Sequence, residues 1–489
     1  MLSAHHVSIS GKHGVDYPKA PPFHPHAVYP EYPFRNHRSP EPNPAYEGVR
    51  DALSGLGLDR ERYGTASWNP LGSLIREGST VLIKPNLVLH EHPRGGDIHA
   101  LITHASVIRA VLDYVFIAMK GRGRIIIGDS PLQTTDFGGA IAASGLPGVL
   151  DFFARDAKFS LELVDFRQVI ARRDERGHIA EWCEAPGDPA GTVTFDLGAG
   201  SLLHRLNQPD AAFRVSNYRA EDTAQYHGAH SHRYVIARSV FDADVVMSVP
   251  KLKTHCKVGV TLGLKNFVGT VSKKQCLAHH RAGGPERGGD EFPHDSLLKR
   301  ISEDLERRID GNPRGAEREA LKLAYRANER MIKTLGLDSI RDGGWSGNDT
   351  AWRMTLDLAR ILAYGRRDGT MADSPQRTIL TIIDGIIGGE GEGPLEAIAK
   401  PVGCVMAGLN PAATDIAVAT FMGFDYRNIP LLHSAMELDP WPLAHFRPTD
   451  IKASMDSRVL TLDELAHAAE RMSFREPLGW RHHMELGTP

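Results

Sequence analysis

The sequence predicts an α/β protein: a mostly parallel sheet with helices on both faces, an irregular N-terminal extension and a helical insertion. Three observations carry this. Short β-branched apolar runs such as "TVLIK", "RIIIG", "DVVMSV" and "RTILTII" read as strands buried in a core. Segments with apolar residues at helical spacing stand between them, and strand–helix alternation is the signature of a parallel sheet covered on both faces. The strands end in polar or charged residues, as they do where a sheet edge opens onto a ligand site.

Residues 1–75 are rich in Pro, His, Tyr and Asn and show little periodicity, so they read as an irregular extension wrapping the body, with a helix near "NPAYEGVRDALSGLG". The α/β body starts at about residue 76. Thr80 to Lys84 forms its first strand, stopped by Pro85, which cannot continue a central ladder. Val107, Ala110, Val111, Tyr114, Val115 and Ala118 then mark a helix, with Thr103 as its expected cap and Gly121 as its stop. "RIIIGDSP" is a strand ending in a loop, followed by a helix over 138–155 and a strand at "LELVDF". Residues 170–215 contain hairpin-like excursions, and "DADVVMSVP" restores the buried strand. The first part of the body thus runs over 76–295, and a helical insertion or lid over 296–345 is broken at Gly311-Asn312-Pro313. The second part, 346–430, holds the helix "TAWRMTLDLARILAY", the strand "RTILTIIDGIIGG" with its glycine-rich end, and a last strand and helix. That helix has Asn410 as cap and Pro411 at its first position, with Gly423 beyond its end. Residues 431–489 are a tail packing on the body.

Composition narrows the function. A net charge of −3 over 489 residues argues against a nucleic-acid scaffold or a polybasic membrane binder. No apolar run approaches the roughly 18 residues of a membrane helix, and the N-terminus lacks a signal-peptide core. A cytoplasmic protein is expected, and a homo-oligomer is compatible with the sequence. Four scattered cysteines form neither a disulfide framework nor a C-x-x-C pair, so no iron–sulfur cluster is expected in this chain.

The strand ends carry the chemistry. Lys84 and Asn86 follow the first strand, and Asp129 and Ser130 the second. Lys251, Lys253, Thr254 and His255 follow "DVVMSV", and Lys265 and Asn266 come shortly after. Asp384, Glu390 and Glu392 follow "LTII", and Asp415 lies beyond the last strand. A single lysine at a strand end is ordinarily a solvated side chain. "PKLKTH" is different: alternation puts Lys251 and Lys253 on one side if the segment is extended, and two such ammonium groups repel unless an anion lies between them. The expected partner is therefore a small anionic metabolite, phosphorylated or carboxylated. Lys84, Lys253, His255 and Asp129 are the candidate catalytic groups. Asn86, Ser130, Lys251, Thr254, Lys265, Asn266, Asn348 and Arg353 are the candidate substrate contacts. Asp384, Glu390 and Glu392 are oxygen ligands suited to a divalent cation such as magnesium. Two alternatives stand beside this enzyme. One is a metal or redox centre using His230 and His232, which strand spacing aims at one face. The other is a non-catalytic anion-binding protein.

"VLIKPNLV", "IIIGDSP", "DADVVMSVPKLKTHCKVGVTLGLKNFVG", "IIDGIIGGEGEGPL" and "NPAATDIAVATFMGFD" together resemble the prokaryotic family called domain of unknown function 362, in order from about residue 80 to 425. The resemblance implies a shared site at the motif positions and names no reaction. Some family members carry a ferredoxin-type cysteine cluster, from which this chain departs.

Overall fold

Eleven strands build one mixed sheet in the computed structural model, which describes residues 3–173, 179–206, 213–311, 315–337, 340–469 and 472–486. Numbered in chain order, they are β1 His6–Ile9, β2 Thr80–Pro85, β3 Arg124–Asp129, β4 Leu161–Asp165, β5 Val245–Val249 and β6 Lys251–His255. The others are β7 Gly259–Thr261, β8 Thr378–Glu392, β9 Glu396–Gly408, β10 Lys452–Met455 and β11 Arg458–Thr461. Across the sheet the order is β11-β10-β1-β9-β8-β5-β2-β3-β4, with β6 on the far half of β8 and β7 beside β6.

Strands β8, β5, β2, β3 and β4 are parallel neighbours, and β9 turns back antiparallel on β8. Alternation explains why the parallel strands read as unbroken apolar runs. Val81 and Ile83 enter the core on one face with the helices Pro44–Gly55 and Ala105–Met119, while Leu82 enters the core on the other with Ala351–Tyr364 and Pro411–Phe421. From β2 the chain steps outward through β3 and β4, then returns to the other side of β2 for β5 and β8. The order reverses between β2 and β5, and a crevice at the carboxyl ends of these strands is where such sheets bind ligands.

Several local expectations are refined. The first 75 residues have little regular structure, but His6–Ile9 joins the sheet between β9 and β10. The C-terminal segment contributes β10 and β11. Both strands have four residues, too short to stand out as a pattern. The helix expected over 138–155 is two helices, Phe137–Ser144 and Leu146–Arg155, bent by 80° at Gly145, which has φ +85°. His104, not Thr103, caps Ala105–Met119. Thr103 instead donates its hydroxyl to Val249 O at 2.7 Å and accepts Asn86 N–H at 2.9 Å, tying β5 to the loop after β2. The glycine-rich "GGEGE" continues β8, paired with β9 through Glu392. The insertion forms the helices Leu297–Asp310 and Gly315–Thr334. Among the described residues no single helix is long and apolar enough to cross a membrane.

Candidate functional site

At the reversal point the loops after β2 and β3, the strand β6 and the short helix Gly263–Asn266 enclose a cavity of about 690 Å³. Nine lysines or arginines line it against four aspartates or glutamates. Five of these cations, Lys84, Lys253, Lys265, Lys274 and Lys322, are buried, and opposite charge is short, so the cavity has a positive field.

Its floor is a fixed knot. Lys84 Nζ lies 2.8 Å from Asp129 Oδ1 and donates to Pro85 O at 2.6 Å and Asn266 Oδ1 at 3.2 Å. Asp129 in turn accepts Leu87 N–H at 2.6 Å and Ser130 N–H at 2.7 Å. Asn266 donates to Lys84 O and Ser248 Oγ, both at 2.9 Å. The Ser130 hydroxyl is spent on Val271 O at 2.6 Å. Gly269 packs so closely here that a Cβ on it would lie 2.2 Å from Asp129 Oδ1, so no larger residue fits. Burial pushes the Lys84 ammonium down and Asp129 pulls it back up. All three of its donors are occupied, so Lys84 and Asp129 form a structural ion pair at the cavity wall.

Lys253 is similarly committed. Its Nζ donates to Leu101 O at 2.6 Å, Asn86 Oδ1 at 3.2 Å and Pro394 O at 3.3 Å. Burial, then Lys251, Lys265 and Lys84, hold its pKa well below the ordinary lysine value. Lys274 Nζ reaches Ser130 O at 2.6 Å, and burial lowers it to about 8. Lys257 Nζ is bound to Asp342 O.

Lys265 differs from all of these. It is 8% exposed, lines the cavity, and its Nζ has no acceptor among the described residues. Burial, followed by the neighbouring Lys274 and Lys257, lowers it to about 7. Its helix is positioned by Asp415, whose carboxylate accepts Gly263 N–H at 2.7 Å and Leu264 N–H at 2.8 Å. His255 also lines the cavity. Its Nδ1 accepts Lys257 N–H at 3.1 Å, which puts the neutral ring's proton on Nε2. Burial and Lys265 keep the ring well below the usual imidazole value, so it is neutral at pH 7. Two further lining groups, Thr261 Oγ1 and Tyr218 OH, are buried without a hydrogen-bond partner among the described residues.

The expected pairing of Lys251 with Lys253 across one anion is not what the backbone gives. A register shift in β6 sets Lys251 opposite Asp384 but Lys253 opposite Gly389, which breaks the simple alternation. Lys253 lines the cavity, whereas Lys251 is fully buried outside it, 3.1 Å from Asp384 Oδ2. Tyr17 from the N-terminal segment completes that cluster: its hydroxyl accepts from Lys251 Nζ and donates to Asp384 Oδ1, each at 2.5 Å. Asp384 also takes His104 N–H at 2.9 Å.

The other acidic candidates are separated. Glu390 binds Lys400 Nζ and Arg475 N–H, both at 3.0 Å, and Glu392 accepts Leu478 N–H at 2.6 Å at the cavity edge. Asp384, Glu390 and Glu392 are not brought together, and among the described residues no three His, Cys, Asp or Glu side chains converge to hold a metal. His230 is exposed, while His232 is buried with Nδ1 3.4 Å from His227 Nδ1, so the two do not share a face. The isolated bridge His227↔His232 turns this segment back on itself instead of extending it. Thr254 holds Gly391 O at 2.8 Å. Asn348 Oδ1 accepts Thr350 and Ala351 N–H in the turn leading into the helix Ala351–Tyr364, and Arg353 pairs with Asp349; neither lines the cavity. The site also includes Lys274, His279, Thr261 and Tyr218, which sequence reasoning did not select. Lys274 was visible in the lysine-rich stretch itself; the others face the cavity only through tertiary packing.

Comparison with known proteins adds a family. The chain is 25% identical over 216 residues to the thylakoid-associated protein sll1697 of Synechocystis sp., a match covering 44% of this chain and 46% of that protein. The chain thus spans less than half the length of that relative. The profile of the family described as "Domain of unknown function (DUF362)" matches residues 81–184 and 166–420, which contain the cavity floor, β6, Lys265 and Asp415. The chain belongs to the domain of unknown function 362 family.

Proposed function

We propose that this protein is a cytoplasmic enzyme acting on a small anionic metabolite, phosphorylated or carboxylated, bound in the cavity beside Lys265. The observation that carries the reading is an unbalanced set of buried cations with unused donors. Lys265 offers all three of its N–H groups, Lys274 retains two beyond its bond to Ser130 O, and His255 presents Nε2–H. Buried cations without counter-ions are costly, and an anion from solution supplies what the fold omits. Thr261 and Tyr218 add hydrogen-bonding capacity that no described protein group uses. A lysine brought to about 7 is close to half-protonated at neutral pH, so Lys265 can either grip an anion or exchange a proton with it. Lys84, Lys253 and Asp129 set the field and the shape, and Lys265, Lys274 and His255 meet the substrate. The reading needs no divalent ion held by protein alone. Glu392, whose Oε1 accepts Leu478 N–H, and Glu396, paired with Arg94 at 2.5 Å, line the cavity and each keep a second carboxylate oxygen for an ion that enters on a phosphate.

Native mass spectrometry of gently purified protein, compared with the same sample denatured, tests the proposal. The expected result is a small anionic mass that is lost on denaturation and absent from the Lys253→Met/Lys265→Met double variant. A double variant that retains the same anion overturns the reading.

A further inference from the structure

Within the anion-site reading, on which this step rests, Lys265 can be more than a counter-ion. Every other lysine lining the cavity has an acceptor: Lys84 has Asp129, Lys253 has three oxygens, Lys257 has Asp342 O, Lys274 has Ser130 O and Lys322 lies near Glu319. Lys265 has none among the described residues, yet it is almost fully buried and held at a defined place by the Asp415 cap on its helix. A lysine used only to bind anions needs its proton, and the surroundings oppose that proton. Lys274 and Lys257 are the charges that act on it most strongly, and His255 and His279 also line the cavity. Cationic neighbours in a desolvated pocket are the means by which an amine is made nucleophilic at neutral pH.

We infer that Lys265 forms an imine with a carbonyl group of the substrate, which places the ligand among small oxo-acids and phosphorylated ketones or aldehydes. The neutral Nζ attacks the carbonyl carbon, making a C–N bond while the carbonyl π pair moves to oxygen. That oxygen takes up two protons, matching the two that the nitrogen sheds, and leaves as water, so one amine and one carbonyl become one imine and one water. The His255 Nε2–H donates a hydrogen bond that stabilises the departing oxygen while keeping its proton, and the anionic part of the ligand lies against Lys274. Protonated from solvent, with the ligand's own anionic group as its counter-charge, the imine draws electrons from the adjacent carbon, which is the chemistry that opens carbon–hydrogen or carbon–carbon bonds next to a carbonyl.

The full-length protein is incubated at pH 7 with pyruvate or with dihydroxyacetone phosphate, then treated with borohydride, which delivers hydride to the imine carbon and makes the bond permanent. Peptide mass mapping reads the position, and calorimetric titration of each probe without borohydride reads binding separately. The inference expects a single reduced adduct at Lys265, suppressed by excess inorganic phosphate and absent from Lys265→Arg. Saturable binding of both probes with no adduct, or adducts spread over surface lysines, overturns the imine while leaving the anion site standing. An absence of heat with either probe and with phosphate overturns both. A folded Lys265→Arg variant, judged by an unchanged unfolding midpoint, that still gives the adduct also overturns the assignment.

Discussion

The Lys84–Asp129 pair gives the most quantitative test of the site's electrostatics. Both side chains are nearly inaccessible, 1% and 4% exposed, and 2.8 Å apart. In Asp129→Asn the shape survives but the negative charge does not, and the new amide faces two backbone N–H groups and an ammonium. Removing one partner of such a buried pair costs about 3–5 kcal/mol. An independent route gives the same size: Lys84 can escape by losing its proton, and for a side chain that titrates at about 10.4 in water this costs about 4–5 kcal/mol at pH 7. The sign of the pH dependence follows. In the variant the folded state holds Lys84 neutral while the unfolded chain holds it charged, so the unfolded state binds more protons and stability rises with pH by about 1.4 kcal/mol per unit. The deficit of Asp129→Asn against wild type, measured by urea unfolding, is therefore about 3–5 kcal/mol at pH 7 and falls by about 2.8 kcal/mol, to about 2 kcal/mol or less, at pH 9. A deficit under about 1 kcal/mol at pH 7, or one that is the same at both pH values, refutes the reasoning.

Other outcomes follow from the same geometry. Lys251→Met strands Asp384 in the core and should cost about 3–5 kcal/mol in urea unfolding while leaving the affinity for phosphate of the folded protein unchanged; a selective loss of anion affinity would return Lys251 to the cavity. Asp415 is raised to about 7 by burial. Its contribution to stability is present below its unfolded value near 4 and is lost as pH rises through 7, so Asp415→Asn should gain on wild type between pH 5 and pH 8. A constant difference over that range counts against it. Lys265 and Lys274 sit at about 7 and about 8. Anion binding at pH 8 should then take up protons, seen as calorimetric heats that differ between Tris and phosphate-free HEPES, and it should weaken as pH rises above 8; equal heats in both buffers would contradict this. Tyr17→Phe removes one buried hydroxyl between Lys251 and Asp384 and should cost about 1–2 kcal/mol in thermal or urea unfolding.

The parallel core was legible because its strands are buried on both faces, which writes them as unbroken β-branched runs between helices of clear period. The four-residue strands at residues 6–9 and 452–455 were not, since their place in the sheet comes from pairing with β9 and with each other, not from their own pattern. Strand-end logic selected Lys84, Asn86, Asp129, Lys253, His255, Lys265 and Asn266, and these line one cavity. It misassigned the company of Lys251 because alternation holds only for a regular strand, and the shift in β6 opposite β8 cannot be read from residue types. It grouped Asp384, Glu390 and Glu392 because they are near in sequence. A strand rises about 3.3 Å per residue, however, so acids in one extended β8 are strung out along it, not gathered around one point. Which lysines are spent and which are free was also invisible. That depends on carbonyl oxygens such as Leu101 O, Pro394 O and Ser130 O, which every residue type carries.

The central claim is that an anion binds inside the cavity and not on the basic surface. Crystals soaked in tungstate, with the anomalous signal of tungsten mapped, test it most directly. The account predicts a peak inside the cavity within hydrogen-bonding distance of Lys265 Nζ, with Lys274 or His255 as a second contact, and its loss in the Lys253→Met/Lys265→Met variant. Tungstate found only at exposed arginines or lysines, with the cavity empty of it, would contradict the account.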